Sequence, residues 1–179
     1  QSEKVNHSKI IFRNRYGITL AADLYIPKSA VGKLSAVAVC GPFGAVKEQA
    51  SGLYAQTLAE RGFLTLAFDP SYTGESGGEP RYVASPDINT EDFCAAVDYL
   101  STRNDVDPER IGILGICGWG GMALNAAAID TRIKATVTAT MYDMSRVNAN
   151  GYFDALDADA RYELRKQLNA QSCLLYTSP

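Results

Sequence analysis

One stretch of this sequence carries most of the information about its fold: Arg110-Ile-Gly-Ile-Leu-Gly-Ile-Cys117-Gly-Trp-Gly-Gly-Met-Ala-Leu-Asn-Ala-Ala-Ala-Ile129. Its first part, residues 111–116, is continuously apolar, as a parallel strand buried on both faces would be. A glycine-rich turn follows, and then alanine-rich sequence that favours a helix. Cys117 lies at the corner, where a side chain can be held at the carboxyl end of a sheet. A strand, a sharp turn bearing a nucleophile and a helix form a nucleophile elbow, which we predict here.

The flanking sequence predicts further strands and helices in alternation. Strands are expected at residues 9–13, 18–26, 35–40, 63–68 and 134–140, and helices at residues 48–61 and 90–100. The second strand alternates apolar and polar residues, so we expect it to be antiparallel and half exposed. Thr90 is the expected N-cap of the second helix, and residues 106–110 are expected to turn the chain into the strand before Cys117. Crossovers of this length predict an α/β fold, with a mostly parallel sheet covered by helices on both faces.

The chain is predicted to form a single domain over residues 1–172, without repeats or low-complexity linkers. Within it, residues 150–170 are polar with helical periodicity, and we interpret them as the start of a lid. The hexapeptide Cys-Leu-Leu-Tyr-Thr-Ser at 173–178 resembles the translation of a transposon-end adapter used for sequencing libraries. We therefore predict that residues 173–179 are an adapter-derived artefact and exclude them from the fold.

Composition narrows the classes of function. The 179 residues carry a net charge of −3, with lysine and arginine scattered along the chain, so nucleic acid and anionic membrane surfaces are not expected partners. No apolar run approaches the length of a transmembrane helix, and no signal-peptide pattern is present. The four cysteines lack the spacing of a disulfide framework or a zinc site, so we expect a reducing, cytoplasmic environment and no metal.

Four segments in register carry a family resemblance: Gly44-Ala-Val-Lys-Glu-Gln49, residues 68–81, Val106-Asp-Pro-Glu-Arg-Ile-Gly112 and Leu114-Gly-Ile-Cys-Gly-Trp-Gly-Gly121. With these segments the chain resembles the α/β-hydrolase superfamily, in its dienelactone-hydrolase-like and Xaa-Pro-peptidase-like branch. The resemblance implies an α/β-hydrolase fold whose last strands are missing from this sequence. It also implies hydrolysis of an ester, lactone or related acyl bond in a small-molecule substrate, by covalent catalysis and without a cofactor.

Cys117 is the candidate nucleophile, because backbone N–H groups and the dipole at a helix N-terminus stabilise negative charge on a thiol. The alternative is a buried structural cysteine. The oxyanion would be held by the backbone N–H of Gly118 and by one from the loop after residues 35–40, for which Phe43 is the candidate, with Gly44 close behind. Trp119 departs from the family pattern, where the second residue after the nucleophile is small. Gly120 and Gly121 are expected to supply the close approach of strand and helix instead, and Trp119 could line the acyl pocket.

The base and the acid of a triad are not found in the sequence. The superfamily order is nucleophile, acid, histidine, whereas the one histidine, His7, precedes the first strand and is expected on the surface. Asp143 is a weak candidate for the acid, and three later aspartates, at 154, 157 and 159, are interpreted as surface charges. The catalytic histidine and acid are therefore expected beyond residue 172, and the fragment by itself is expected to be inactive.

Two motifs compete with this interpretation. Gly74-Glu-Ser-Gly-Gly78 matches G-x-S-x-G, but no helix is expected to begin at Gly77, so Ser76 is assigned a structural role. Gly118-Trp-Gly-Gly-Met-Ala123, with Asp143 some twenty residues later, fits a dinucleotide fingerprint. A non-catalytic hydrolase-like domain and a dinucleotide-binding module thus remain alternatives to the hydrolase.

Overall fold

Six strands form a mixed sheet in the computed structural model, which describes residues 2–177, with side chains as far as residue 172. In chain order the elements are β1 (Val5–Arg13), β2 (Thr19–Pro27), β3 (Leu34–Cys40), α1 (Ala50–Ala59), β4 (Leu64–Phe68), α2 (Pro86–Ser101), β5 (Val106–Ile116), α3 (Trp119–Ile129), β6 (Ile133–Ala139), α4 (Met144–Asn150) and α5 (Ala158–Thr177), with a short 3-10 helix at Tyr152–Asp154. The strand order is β1-β2-β4-β3-β5-β6. β1 and β2 are antiparallel to their neighbours and the other four strands are parallel, which confirms the mostly parallel sheet.

The two faces of the sheet have separate apolar cores. On one face, α2 and α3 contribute Phe93, Val97 and Trp119 to a cluster with the strands. On the other face, α1 contributes Ala55 and Ala59 to a smaller cluster. Helices thus cover both faces, as the βαβ crossovers predicted, because parallel strands must bury apolar side chains on each side.

β2 is more buried than its sequence indicated. The prediction of a half-exposed strand is wrong, because all of its residues except Thr19 and Ile26 are buried. β1 occupies the outer position in the sheet instead, so β2 lies between β1 and β4. The polar Asp23 is buried within β2, and its Oδ1 lies 3.1 Å from Nε2 of His7 in β1.

Two expected boundaries are also wrong. α2 begins at Pro86 with Ser85 as the N-cap residue, so Thr90 lies inside the helix and is buried. Proline is favoured in the first turn of a helix because its missing N–H would have no partner there. β5 begins at Val106, so the segment expected to form a turn before the strand is part of it.

β6 is the outer strand beside β5 in the sheet that residues 2–177 form, and Val137 within it is half exposed. A groove of about 570 Å³ runs next to α1 on this side of the molecule. Its lining is mostly apolar and includes Leu58, Leu114 and Val137. Apolar side chains of β5 and β6 are therefore accessible in this groove.

A second compact unit begins at Asp143, after a first unit that contains the whole sheet. It consists of α4, the 3-10 helix and α5, so the helical character expected for residues 150–170 is confirmed, while their role as a lid stays a prediction. Asp143 caps α4 by accepting a hydrogen bond from the Arg146 N–H at 2.9 Å. The prediction that residues 173–179 are an adapter-derived artefact stays a prediction, because the side chains of these residues lie outside the described part of the structure. Among the described helices, none combines the length and the apolar character that a membrane crossing requires.

Candidate active site

Cys117 lies at the corner between β5 and α3, where the sequence predicted it. Its φ of 59° falls in the left-handed region, which is sterically unfavourable for a residue with a side chain. The Cys117 N–H donates to the Ala139 carbonyl at 2.8 Å, and the Cys117 carbonyl accepts from the Gly120 N–H at 3.1 Å. These two hydrogen bonds hold the strained corner between the end of β6 and the first turn of α3. The side chain itself is partly exposed.

Gly115 allows α3 to begin so close to β5. A Cβ at this position would lie 2.7 Å from the Trp119 carbonyl carbon, closer still to its oxygen, and 2.8 Å from the Gly120 Cα. The close approach of strand and helix is therefore made by Gly115 against the backbone of Trp119 and Gly120. A Cβ on Gly120 would lie 2.6 Å from the Met141 side chain, so its missing side chain makes room for that residue and not for β5. The prediction for Gly121 is wrong, because a Cβ there would meet no atom within 4 Å.

Trp119 packs into the core rather than standing free beside the corner. Its side chain is 3% exposed and belongs to the cluster that α2 and α3 form with the sheet. Its ring centroid lies 6.3 Å from that of Phe43, so the buried indole also supports the loop after β3. The indole Nε1–H is buried and has no hydrogen-bond acceptor among the described residues.

Replacement of Trp119 by phenylalanine is expected to change the free energy of unfolding by no more than about 1 kcal/mol. The smaller ring loses packing, but it also removes a buried donor whose unpaired state costs about 1–3 kcal/mol. Trp119→Ala, which leaves a large cavity, is expected to cost about 3–5 kcal/mol. Urea denaturation of the two variants measures the difference, and equal losses would show that the indole N–H does have a partner.

The loop after β3 is brought next to Cys117 by the register of the sheet. Cys40, the last residue of β3, pairs with Gly115 of β5, two residues before Cys117. The next residue, Gly41, has a φ of 102°, and a Cβ there would overlap the Ile116 carbonyl oxygen. A glycine is needed at this position, because the loop backbone lies directly against the end of β5.

Both candidate oxyanion donors lie at this edge. Gly118 follows Cys117 directly, and Phe43 is the second residue of a turn closed by the Ala45 N–H and the Pro42 carbonyl at 3.1 Å. Within residues 2–177, neither the Gly118 nor the Phe43 backbone N–H donates to a protein acceptor. A tetrahedral intermediate at Cys117 would need two N–H donors without other acceptors, so Gly118 and Phe43 stay candidates for that role.

An ionic cluster around the buried side chains of Lys47 and Asp69 anchors the far end of the same loop. The Lys47 side chain is fully buried, and its Nζ lies 3.3 Å from Asp69 Oδ2, 2.6 Å from Glu75 Oε2 and 2.7 Å from Glu48 Oε1. Burial lowers the pKa of Lys47, but the hydrogen bonds to Glu48 and Glu75 and the charge of Asp69 outweigh burial and raise it overall. Hydrogen bonds from Lys47 and then Lys9 lower the pKa of Glu75 to about 2.

The sequence reasoning missed this cluster, although a signal for it exists. Asp69 comes directly after a fully buried strand, and Lys47 stands just before a helix in the loop at the same edge of the sheet. Because the carboxyl ends of neighbouring parallel strands lie side by side, an acid and a base at those two places can be expected to meet.

Ser76 has the structural role that the sequence predicted. Its hydroxyl donates to the Asp69 carbonyl at 2.6 Å and accepts from the Ala21 N–H at 2.9 Å, and the residue is buried. No helix follows at Gly77, so the hydroxyl is not presented as a nucleophile would be.

His7 lies on β1, the outer strand of the sheet, where it is partly exposed. Its Nε2 lies 3.1 Å from Asp23 Oδ1, and 22% of its side chain is exposed. Its ring lies 4.9 Å from that of Tyr25, the residue it pairs with across β1 and β2. Three strands separate β1 from β5, which places their backbones about 19 Å apart at the usual strand spacing. His7 is therefore too distant in the sheet to serve Cys117 as a base.

The acidic candidates of the second unit are exposed. Asp143 is engaged as the cap of α4. Asp154 forms an ion pair with Arg146, and Asp157 accepts from the Ala160 N–H at 2.8 Å, so both act within their own unit. Asp159 is exposed as well, so the interpretation of Asp154, Asp157 and Asp159 as surface charges is confirmed. Within the described part of the chain, no group of three metal-binding side chains is found.

The order of the strands and the corner between β5 and α3 define the chain as an α/β hydrolase in fold. The crystal structure of the α/β hydrolase GrgF from a Penicillium species superposes with a TM-score of 0.71 at 26% identity, over 88% of this chain and 55% of that one. The chain belongs to the X-Pro dipeptidyl-peptidase (S15) family, whose sequence profile matches residues 16–171.

Individual relatives agree with this assignment. Protein PA2218 of Pseudomonas aeruginosa is 67% identical over 171 residues, or 95% of this chain and 46% of the relative, and its crystal structure superposes with a TM-score of 0.94 over 96% of this chain and 54% of that one. Protein YcjY of Escherichia coli is 44% identical over 82% of this chain and 49% of its own. Thiohydrolase aneE of Aspergillus aculeatus is 31% identical over 76% of this chain and 42% of its own. The chain thus spans about half the length of the relatives it matches.

Proposed function

We propose that the full-length protein hydrolyses or transfers the acyl group of a small-molecule ester, lactone or thioester, with Cys117 as the nucleophile. The observation that carries this proposal is the strained, partly exposed Cys117 between β5 and α3. A non-glycine residue at positive φ costs about 1–3 kcal/mol and persists only where the surrounding structure holds it, and such residues cluster at active sites. A buried structural cysteine needs no such conformation.

The proposed reaction begins when the Cys117 thiolate attacks the substrate carbonyl and forms a carbon–sulfur bond. The carbonyl π electrons move to oxygen, and the resulting oxyanion accepts hydrogen bonds from the N–H groups of Gly118 and Phe43. The oxyanion then reforms the carbonyl, the alkoxide or thiolate leaves with a proton, and an acyl-cysteine thioester remains. Water attacks this thioester, releases the acid and restores the thiol. A histidine and an acid beyond residue 172 would move the protons, and no cofactor takes part.

The substrate class follows from the chemistry of the nucleophile and from the relatives. Cysteine exchanges readily with thioesters, because the acyl-enzyme is itself a thioester of similar energy. The name thiohydrolase given to aneE is consistent with that preference. We therefore add thioesters to the ester and lactone substrates that the sequence implied.

Trapping of the acyl-enzyme tests the proposal. The full-length protein is mixed with 4-nitrophenyl butyrate or with S-butyryl-N-acetylcysteamine, quenched in acid and measured by intact mass spectrometry. We expect a butyryl adduct that maps to Cys117, and no adduct in Cys117→Ala. Cys94→Ala, which removes a buried cysteine of α2, is the matched control and should retain the adduct. A wild-type protein without any adduct would instead indicate a non-catalytic hydrolase-like domain.

A further inference from the structure

The loop from Gly41 to Gln49 carries Phe43, and it is fixed to the rest of the fold at both ends. At its start, the Gly41 carbonyl accepts a hydrogen bond from the Ser51 hydroxyl of α1. At its end, Lys47 holds it through both its backbone and its side chain. The N–H of Phe43 has no acceptor among the described residues that would hold it in position. The position of Phe43 therefore depends on these two attachments of the loop.

Of the three carboxylates around Lys47, only that of Asp69 contacts both its backbone N–H and its side chain. Asp69 Oδ1 accepts from the Lys47 backbone N–H at 2.7 Å, and Asp69 Oδ2 lies 3.3 Å from Lys47 Nζ. Oδ2 also accepts from the Glu75 N–H at 2.9 Å, in the loop that follows β4. Asp69 is 1% exposed, so its charge must be compensated within the protein. Lys47 supplies that compensation and at the same time attaches its own loop to the end of β4.

The surrounding backbone is shaped to accept this pair. A Cβ on Gly74 would lie 2.8 Å or less from all three atoms of the Asp69 carboxyl group, so only glycine leaves room for it. A Cβ on Gly52 of α1 would lie 2.6 Å from the Lys47 carbonyl oxygen. Both neighbouring segments thus approach the Lys47–Asp69 pair more closely than a side chain would allow.

We propose that the Lys47–Asp69 ion pair is a positioning element for the oxyanion loop, and that it controls the rate of acyl transfer rather than the affinity for substrate. This inference rests on the proposed function. Lys47 and Asp69 themselves touch neither substrate nor Cys117 in this scheme. They act through the three residues that connect Lys47 back to Phe43, whose N–H must meet the oxyanion within hydrogen-bonding distance.

The test compares variants of the full-length protein in two reactions of the same thiol. Lys47→Met leaves the buried carboxylate of Asp69 without a counter-charge. If that variant fails to fold, Lys47→Met/Asp69→Asn replaces it, because the double variant leaves no unpaired buried charge. Lys9→Gln is the matched control. Lys9 also binds Glu75, with 2.7 Å between Lys9 Nζ and Glu75 Oε1, but its side chain is exposed and it belongs to β1 rather than to the oxyanion loop. Folding of each variant is checked by circular dichroism.

Hydrolysis of 4-nitrophenyl butyrate passes through an oxyanion, whereas alkylation of Cys117 by iodoacetamide does not. In the Lys47 variants we expect kcat for the ester to fall about 10- to 100-fold, since loss of one oxyanion donor costs about 10²–10³-fold. KM and the rate of alkylation should stay within about twofold of wild type, and Lys9→Gln should match wild type in both reactions.

Three outcomes would overturn the inference. An unchanged kcat in a less stable Lys47 variant would show that the pair serves stability alone. A parallel fall in alkylation and ester hydrolysis would indicate general damage around Cys117. A wild-type protein that forms no acyl-enzyme would contradict the proposed function itself. The trapping experiment on the wild-type protein is therefore done before any Lys47 variant is made.

Discussion

Replacement of Cys117 by alanine is expected to lower kcat/KM of the full-length protein for acyl substrates by at least about 10³-fold. Alanine keeps the fold of the corner but removes the atom that forms the covalent bond, so only the oxyanion donors and substrate binding would remain. Initial rates with 4-nitrophenyl butyrate over a range of concentrations measure kcat and KM separately. Because the thiol acts in the chemical step, the loss should fall on kcat.

Two comparisons make this result specific to the thiol of Cys117. Cys117→Ser keeps a nucleophile of similar size at the same backbone position, so it should retain more activity than alanine where a base can activate the hydroxyl. Cys94→Ala should match wild type, because Cys94 is buried in α2 among core residues. Activity of Cys117→Ala close to that of wild type would assign the chemistry to another residue.

The sequence predicted the strands and helices well where a pattern is local. β5 and the start of α3 follow from an apolar run, a glycine turn and an alanine-rich segment, all within twenty residues. β2 was misjudged because its alternation of apolar and polar residues resembles that of an outer strand. The strand is buried because β1 folds over its outer edge and His7 pairs with Asp23, and no pattern within β2 reports on that partner.

The site was only partly predictable for the same reason. Cys117, Gly118 and Phe43 could be placed from the ends of strands, because neighbouring parallel strands bring their following loops together. Lys47 was missed, since a lysine is normally exposed and becomes buried only with a partner. Its partners Asp69 and Glu75 lie 22 and 28 residues further along the chain. Only the pairing of β3 with β4 brings the two loops together.

Replacement of Gly115 by alanine is expected to destabilise the fold by at least about 3 kcal/mol and to disturb the site at the same time. The added Cβ would lie within 2.8 Å of the Trp119 and Gly120 backbone, and backbone at the first turn of α3 cannot move aside without shifting the helix. A shift of α3 would carry Gly118 away from the end of β5, because Gly118 directly precedes the helix. Urea denaturation measures the loss of stability, and the acyl-enzyme assay measures the loss of function.

Gly121 provides the matched control for this prediction. It lies in α3, six residues after Gly115, and a Cβ at Gly121 would meet no atom within 4 Å. Alanine is preferred over glycine inside a helix by about 1 kcal/mol, so Gly121→Ala should be neutral or stabilising. The same substitution is thus expected to act in opposite directions at two nearby glycines, because only Gly115 faces the backbone of the neighbouring element. Equal effects at the two positions would show that α3 does not depend on contact with Gly115 to hold Cys117 at its corner.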